Sequence, residues 1–357
     1  MPLDLTSSSV DLTRAICDIP SISGDERLLA DEIEHAISAS AHLEVIRHGN
    51  TVIARTNLGR AQRVAIAGHI DTVPINGNVP VRDIELDGVP YLWGRGTVDM
   101  KAGTAVQLKL AAELTDPVVD ITWMWYDNEE VEASKNGLAL LAAVRPDLFA
   151  ADFAILGEPS NGEVEGGCNG TLRAVVRTHG VRAHAARAWI GENAIHAAAP
   201  ILTRLAEYRP HSVEVEGLVY RESLSAVRIA GGVAGNVIPD YCEVEINYRF
   251  APSKSAADAE AHVRNILDGF EVEITDAAEG ARPGLDVDIA RQFVTAVGAE
   301  PRPKYGWTDV ARFSALGIPA VNYGPGDPHL AHHDEERVPL SQIDAVERGL
   351  RAWLSSR

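Results

Sequence analysis

The stretch DITWMWYDNEEVE, residues 120–132, sets a water-averse run of strand length directly against four carboxylates, Asp127, Glu129, Glu130 and Glu132. The run reads as a buried strand, and the acidic residues fall at its carboxyl end. The chain already carries a formal charge of -19, so crowding more negative charge onto that end calls for something positive there.

Outward from this stretch the same grammar repeats. RVAIAGH (63–69) and DFAILGEP (152–159) are further short apolar runs, and KAGTAVQLKLAAEL (101–114) and NGLALLAAV (136–144) are helical segments between them. Alternation of this kind predicts an α/β layer with a mainly parallel sheet. An earlier helix is expected within 24–39, with Leu28, Leu29, Ile33 and Ile37 at helical spacing behind Asp25 as its cap. From about residue 172 the character changes. The alternating strand TLRAVVRTHG is followed by a helix at about 192–208, strands near 224–231 and 241–250, and a helix at about 254–268. The α/β pattern resumes after about 284, with the strand IPAVNYG (318–324) and a closing helix through AVERGLRAWL. The expected organisation is therefore a discontinuous α/β domain, 1–172 and 285–357, interrupted by a compact α+β insert, 173–284.

The totals agree with two domains, since 357 residues exceed what one core usually serves and 46% hydrophobic residues can build two. The excess of 51 acidic over 32 basic residues argues against nucleic acid or an anionic membrane as a general partner. No basic leader precedes an apolar segment, and no 18 apolar residues run uninterrupted, which predicts a soluble, cytoplasmic chain. Three widely spaced cysteines, Cys17, Cys168 and Cys242, suit reduced thiols and exclude a Cys-rich zinc site.

In open α/β sheets functional groups gather beyond the carboxyl ends of the strands. Four segments bring metal-type residues to such places: His69 and Asp71 in AIAGHIDTVP, Asp99 in GRGTVDMKAG, Glu129 and Glu130, and Glu158 in ILGEPS; a fifth candidate lies near the C-terminus, His329, His332 or His333 in DPHLAHHDEERV. Each alone has an ordinary explanation: a satisfied core histidine, a glycine-rich loop, an acidic first helical turn, a flexible surface cluster. Five such explanations would have to hold independently within one domain. Side chains two apart in an extended segment share a face, so Asp71 can fix the orientation of a ligating His69. Imidazole and carboxylate without thiolate suit zinc, with cobalt or manganese as substitutes. The set exceeds the needs of one ion and suits two metals about 3.5–4 Å apart.

With these motifs the sequence resembles the M20 family of metallopeptidases and amidohydrolases across essentially its whole length. The resemblance implies a zinc-peptidase-like catalytic domain with an inserted ferredoxin-like lid and dimerisation domain. It implies that His69 and Glu158 hold one zinc and Glu130 and His332 a second, with Asp99 bridging, Glu129 as general base and Asp71 as orienter. His332 is in register with Glu336 and Val338 of the late histidine motif, and His333 is the runner-up. The family usually has Asp before the glutamate pair, where this chain has Asn128; Asp127 and Glu132 stay unassigned. In the insert, GVRAHAARAWIGENAIHAA matches a segment whose histidine reaches the partner's active site in dimeric members, which makes His184 an oxyanion donor in a homodimer. The branch of the family most similar to this chain removes succinate from N-succinyl-LL-2,6-diaminopimelate, on the route to lysine and diaminopimelate. A related deacylase acting on acetylornithine, or a small carboxypeptidase, is the alternative.

Two zinc ions bring four positive charges, and Asp99, Glu129, Glu130 and Glu158 bring four negative ones. The inner site is then nearly neutral, and a small anionic N-acyl amino acid needs arginine forks elsewhere. Candidates are Arg249, Arg182, Arg187, Arg173 and Arg312, with Asn236 as an amide partner; the resemblance favours Asn236 and Arg249.

Overall fold

The computed structural model describes residues 3–355. Two compact units divide the chain. One comprises the residues up to Gly166, Pro283–Arg302 and those from Arg312 on; the other comprises Gly167–Arg282 and Pro303–Ala311. The sequence expectation placed 173–284 in the insert. In the structure the second unit begins at Gly167, its long segment ends at Arg282, and it includes Pro303–Ala311, a short run that hydrophobic patterning alone does not set apart.

The first unit is built on a mixed sheet. At its centre four parallel strands lie in the order Asp120–Tyr126, Arg63–His69, Phe153–Leu156 and Ala320–Asn322. Every residue of Asp120–Tyr126 is buried, as expected of a central parallel strand covered on both faces. The margins are antiparallel: Thr51–Arg55 pairs with Asp120–Tyr126, and Glu44–His48 pairs with Thr51–Arg55. Helix Lys101–Glu113 is buried along most of its length. The closing helix Leu340–Ser355 buries Ile343, Val346, Leu350, Trp353 and Leu354, a helical stripe whose Trp353 meets Phe153 and Phe293 edge-on.

The early helix spans Arg27–Ile37, and its cap differs from expectation. Glu26, not Asp25, occupies the N-cap position and makes no side-chain cap bond there; its Oε1 accepts instead from the Gly24 amide at 2.6 Å. The entry turn passes through the left-handed backbone of Gly24, so the carboxylate closes the turn rather than the helix.

The second unit holds a four-stranded antiparallel sheet in the order Ser223–Gly231, Tyr241–Phe250, Gly170–His179, Glu271–Ala278. Leu172, Ala174 and Val176 alternate inward from Gly170–His179. They pack with Ile201 and Leu205 of helix Ala199–Glu207 and with Ala259 and Val263 of helix Ala256–Ile266. The single helix expected over 192–208 is two, Ala194–Ala197 and Ala199–Glu207, with Pro200 in the first turn of the second.

Candidate metal centre and active site

The strand ends of the first unit deliver the residues singled out from sequence to one place. His69 is the last residue of its strand, Glu129 and Glu130 follow Asp120–Tyr126, Glu158 follows Phe153–Leu156, and Asp99 precedes helix Lys101–Glu113. His332 arrives from the loop before the strand Arg337–Pro339, at a left-handed backbone position. His69 Nε2 lies 3.1 Å from Asp99 Oδ1, while His332 Nε2 lies 3.3 Å from Asp99 Oδ2 and 2.9 Å from Glu130 Oε1. The donor atoms form two triads, His69–Asp99–Glu158 and Asp99–Glu130–His332, each within 4.8 Å. Asp99 belongs to both and turns a different oxygen to each histidine, which is the disposition of a carboxylate able to bridge two cations. A third triad, His69–Glu129–Glu130, places Glu129 against the same group.

The electrostatics describe a site made for positive charge. Burial opposes protonation of His69, yet its hydrogen bonds to Asp71 and Asp99 raise its pKa well above the ordinary value. Asp99 and Glu130 push His332 up to about 10. Burial raises the Glu130 carboxyl, against the pull of His332. Asp99 is held far below the usual carboxylate range, the two histidines outweighing its burial. A divalent metal needs these imidazoles neutral, so its binding would displace any proton they carry.

Several neighbours fix the geometry. His69 Nδ1 bonds the Asp71 backbone carbonyl at 3.0 Å and lies 3.5 Å from its carboxylate. That fully buried carboxylate accepts from the Glu129 amide at 3.0 Å, the Glu130 amide at 3.1 Å and Ser23 Oγ at 2.7 Å. Asn128 sits at φ 57°, a left-handed conformation that asparagine and aspartate both tolerate, and its Nδ2 donates to Asp127 Oδ2 at 2.9 Å. Asp127 accepts from Thr51 Oγ1 at 2.7 Å, and Glu132 pairs with Lys135 at the surface. Of the four carboxylates that follow the strand, Asp127, Glu129, Glu130 and Glu132, only Glu129 and Glu130 join the triads. Among the late histidines, His333 accepts from the Glu335 amide and His329 pairs with Asp327. Sequence patterning assigned no role to Ser23, Arg95 or Glu336. Ser23 meets Asp71, while Glu336 accepts from the Val98 and Asp99 amides.

The remaining candidates divide between the units. Arg312 lies in helix Val310–Ala315. His184, Asn236, Arg182 and Arg249 belong to the second unit. His184 is exposed at the end of the bridge strand Ala183–His184, opposite Val237, and the Asn236 carbonyl accepts from the Ala185 amide at 2.8 Å. Arg182 is engaged by Asp240 at 2.8 Å. Arg249 bonds Asn247 Oδ1 at 3.0 Å, and burial, with Arg173 nearby, lowers its pKa.

The sequence matches the profile of Peptidase family M20/M25/M40 over residues 65–356. The chain belongs to family M20. It is 55% identical over 99% of both chains to a Mycobacterium tuberculosis protein provisionally named succinyl-diaminopimelate desuccinylase DapE. It is 48% identical to the succinyl-diaminopimelate desuccinylase of Corynebacterium glutamicum, covering 99% of this chain and 98% of that one. In fold, this M20 chain is similar to a tripeptidase from Staphylococcus aureus, with a TM-score of 0.78 at 20% identity over 99% and 98% of the two chains. A metallo-carboxypeptidase of the family from Sulfolobus solfataricus shares the fold as well, with a TM-score of 0.76 at 16% identity over 98% of each chain. Among the described residues no helix is long and apolar enough to cross a membrane.

Proposed function

We propose that this M20 chain removes succinate from N-succinyl-LL-2,6-diaminopimelate by amide hydrolysis, in the cytoplasm, as a step towards diaminopimelate and lysine. The observation that carries the reading is the near full-length identity of 55% and 48% to relatives named for that activity. A fungal protein of Aspergillus terreus named a probable carboxypeptidase is 27% identical, a much weaker likeness. Three buried free cysteines suit a reducing compartment.

His69 and Glu158 would hold one zinc, Glu130 and His332 another, and Asp99 both. When bound, such ions supply Lewis acidity and a nucleophilic water at neutral pH. The protein's part is to move the proton and to hold the substrate. Glu129, its amide pinned by Asp71, accepts the proton released as water adds to the succinyl carbonyl carbon. The same carboxyl then delivers that proton to the nitrogen as the C–N bond breaks, leaving succinate and a free amine. His184 donates to the carbonyl oxygen as charge develops on it. It does so across a homodimer, for which the edge strand Ser223–Gly231, with exposed Val227 and Ile229, is a suitable seam. Asn236 and Arg249, with Arg182 and Arg312, receive the substrate carboxylates. Arg182 would have to exchange Asp240 for substrate.

The test is selectivity between acyl groups. A charged hydrogen bond at the succinyl end is worth about 1.5–3 kcal/mol, roughly 10- to 150-fold in rate. With zinc supplied, kcat/KM should favour the succinylated diaminopimelate over N-acetylornithine by at least that factor. Arg249→Met should shrink the preference without changing zinc content, and chelation should abolish turnover. Equal rates on the two compounds would replace this reading by that of a general deacylase.

A further inference from the structure

Two residues outside the triads join the segments that carry Asp99 and His332. The strand Val89–Trp93 pairs antiparallel with Arg337–Pro339, with Trp93 opposite Arg337. The Gly94 amide extends that ladder by one bond to the Glu336 carbonyl, 3.0 Å. Beyond this point the segments part, one towards Asp99 and the other back towards His332. Glu336 sits at the fork, fully buried. Its Oε1 accepts from the Val98 amide at 2.8 Å and the Asp99 amide at 3.1 Å, so it grips the backbone of the shared ligand itself. Its Oε2 accepts from Arg95 Nη1 at 2.8 Å. Arg95, 4% exposed, also donates to the carbonyl of His333, the residue after His332, at 3.3 Å.

We infer that Glu336 and Arg95 are positioning residues that set the distance between Asp99 and His332, and so the affinity of the Asp99–Glu130–His332 triad for its cation. The inference rests on the reading of that triad as a metal site. A role in folding alone is a poor explanation for the arrangement. A buried ion pair usually adds little net stability over an apolar pair of the same volume. What an apolar pair could not do is accept from two consecutive amides while holding a carbonyl on the opposite segment. Outer-shell groups of this kind typically govern metal affinity by about 10- to 100-fold.

The experiment is a titration of metal-free, full-length protein with zinc against a competing chromogenic chelator. Wild type should take up two equivalents. Glu336→Gln offers a single acceptor oxygen, so either the two amides or Arg95 must face an NH2 group. It should weaken the equivalent that is lost in His332→Ala about 10- to 100-fold and the other one less. In a His332→Ala background, which removes the second triad, the same change should alter the remaining equivalent little. Adding Arg95→Met to Glu336→Gln lets the amide oxygen turn to the two amides and should restore part of the loss. Arg95→Lys, which keeps the charge beside Glu336 but not the reach to His333, serves if Glu336→Gln does not fold, and should weaken the same equivalent. A folded variant of either kind that binds both equivalents like wild type overturns the inference, as does an equal loss with and without His332. A wild-type protein that takes up fewer than two equivalents overturns the metal reading itself and this inference with it.

Discussion

Asp71 serves the backbone of its neighbours more than it serves His69. Its carboxylate receives two consecutive amides, those of Glu129 and Glu130, and so fixes the backbone from which Glu129, the proposed base, and Glu130, which meets His332, project. Substitutions at the two positions should therefore have different signatures. Glu129→Gln should lower kcat by roughly 10²–10⁴ with KM, zinc content and melting temperature close to wild type. Asp71→Asn should lower kcat too, and in addition melt earlier: one amide left facing a donor costs about 1–3 kcal/mol, a shift of about 1–4 °C in a chain of this size. Paired kinetics and calorimetry would show this, and an Asp71→Asn protein as stable and as active as wild type would contradict it. The contrast also marks where sequence reading stops. His69, the glutamate pair and Glu158 are legible because they are metal-type side chains just past apolar strands, and Asp99 and His332 because they stand in a glycine-rich turn and a histidine cluster of the same domain. Ser23 is not, because its partner is a carboxylate far along the chain, and Glu336 is legible as a motif position but not in its role, because its partners include backbone amides that sequence does not single out.

Among the elements, helix Lys101–Glu113 does the most to assemble the centre, since it starts just after Asp99 and lies against the turn before Glu158. The approach is close enough to require glycine. A Cβ on Gly103 would press into the Gly157 carbonyl oxygen, far inside van der Waals contact. In an isolated helix Gly→Ala stabilises by about 1 kcal/mol; here the sign should reverse. Gly103→Ala should reduce stability and weaken zinc binding together by displacing Asp99 from Glu158, which thermal melts and zinc titration would detect. A Gly103→Ala protein of higher melting point and unchanged affinity would show the packing to be softer than described. The same helix is legible in the sequence, as are the strands Arg63–His69 and Asp120–Tyr126, because short apolar runs alternating with helical segments leave few alternatives. The hairpin Arg82–Leu86 and Val89–Trp93 is not legible in this way. Its first strand is largely exposed and its second buries only one end, so neither shows the alternation that betrays a strand.

At the scale of the whole molecule, a homodimer with His184 acting across it can be tested by complementation. Mixed after subunit exchange, Glu129→Gln and His184→Ala proteins should regain up to roughly a quarter of wild-type activity, since half the dimers are mixed and one of their two sites is intact. No recovery despite demonstrated exchange would place His184 within its own subunit's reaction or outside it. The chain alternates between the units as five segments, so four peptide connections join them. Within the second unit, the Asn169 amide donates to the Lys304 carbonyl at 3.2 Å and Cys168 Sγ lies 3.8 Å from that of Thr308, so the short return Pro303–Ala311 is stitched to the start of the long segment. Recombination between relatives must therefore respect two pairs of breakpoints instead of one. A chimera that imports 167–282 from a donor but keeps the host's 303–311 mates a foreign sheet to a native strip, and should express poorly unless that strip travels with it.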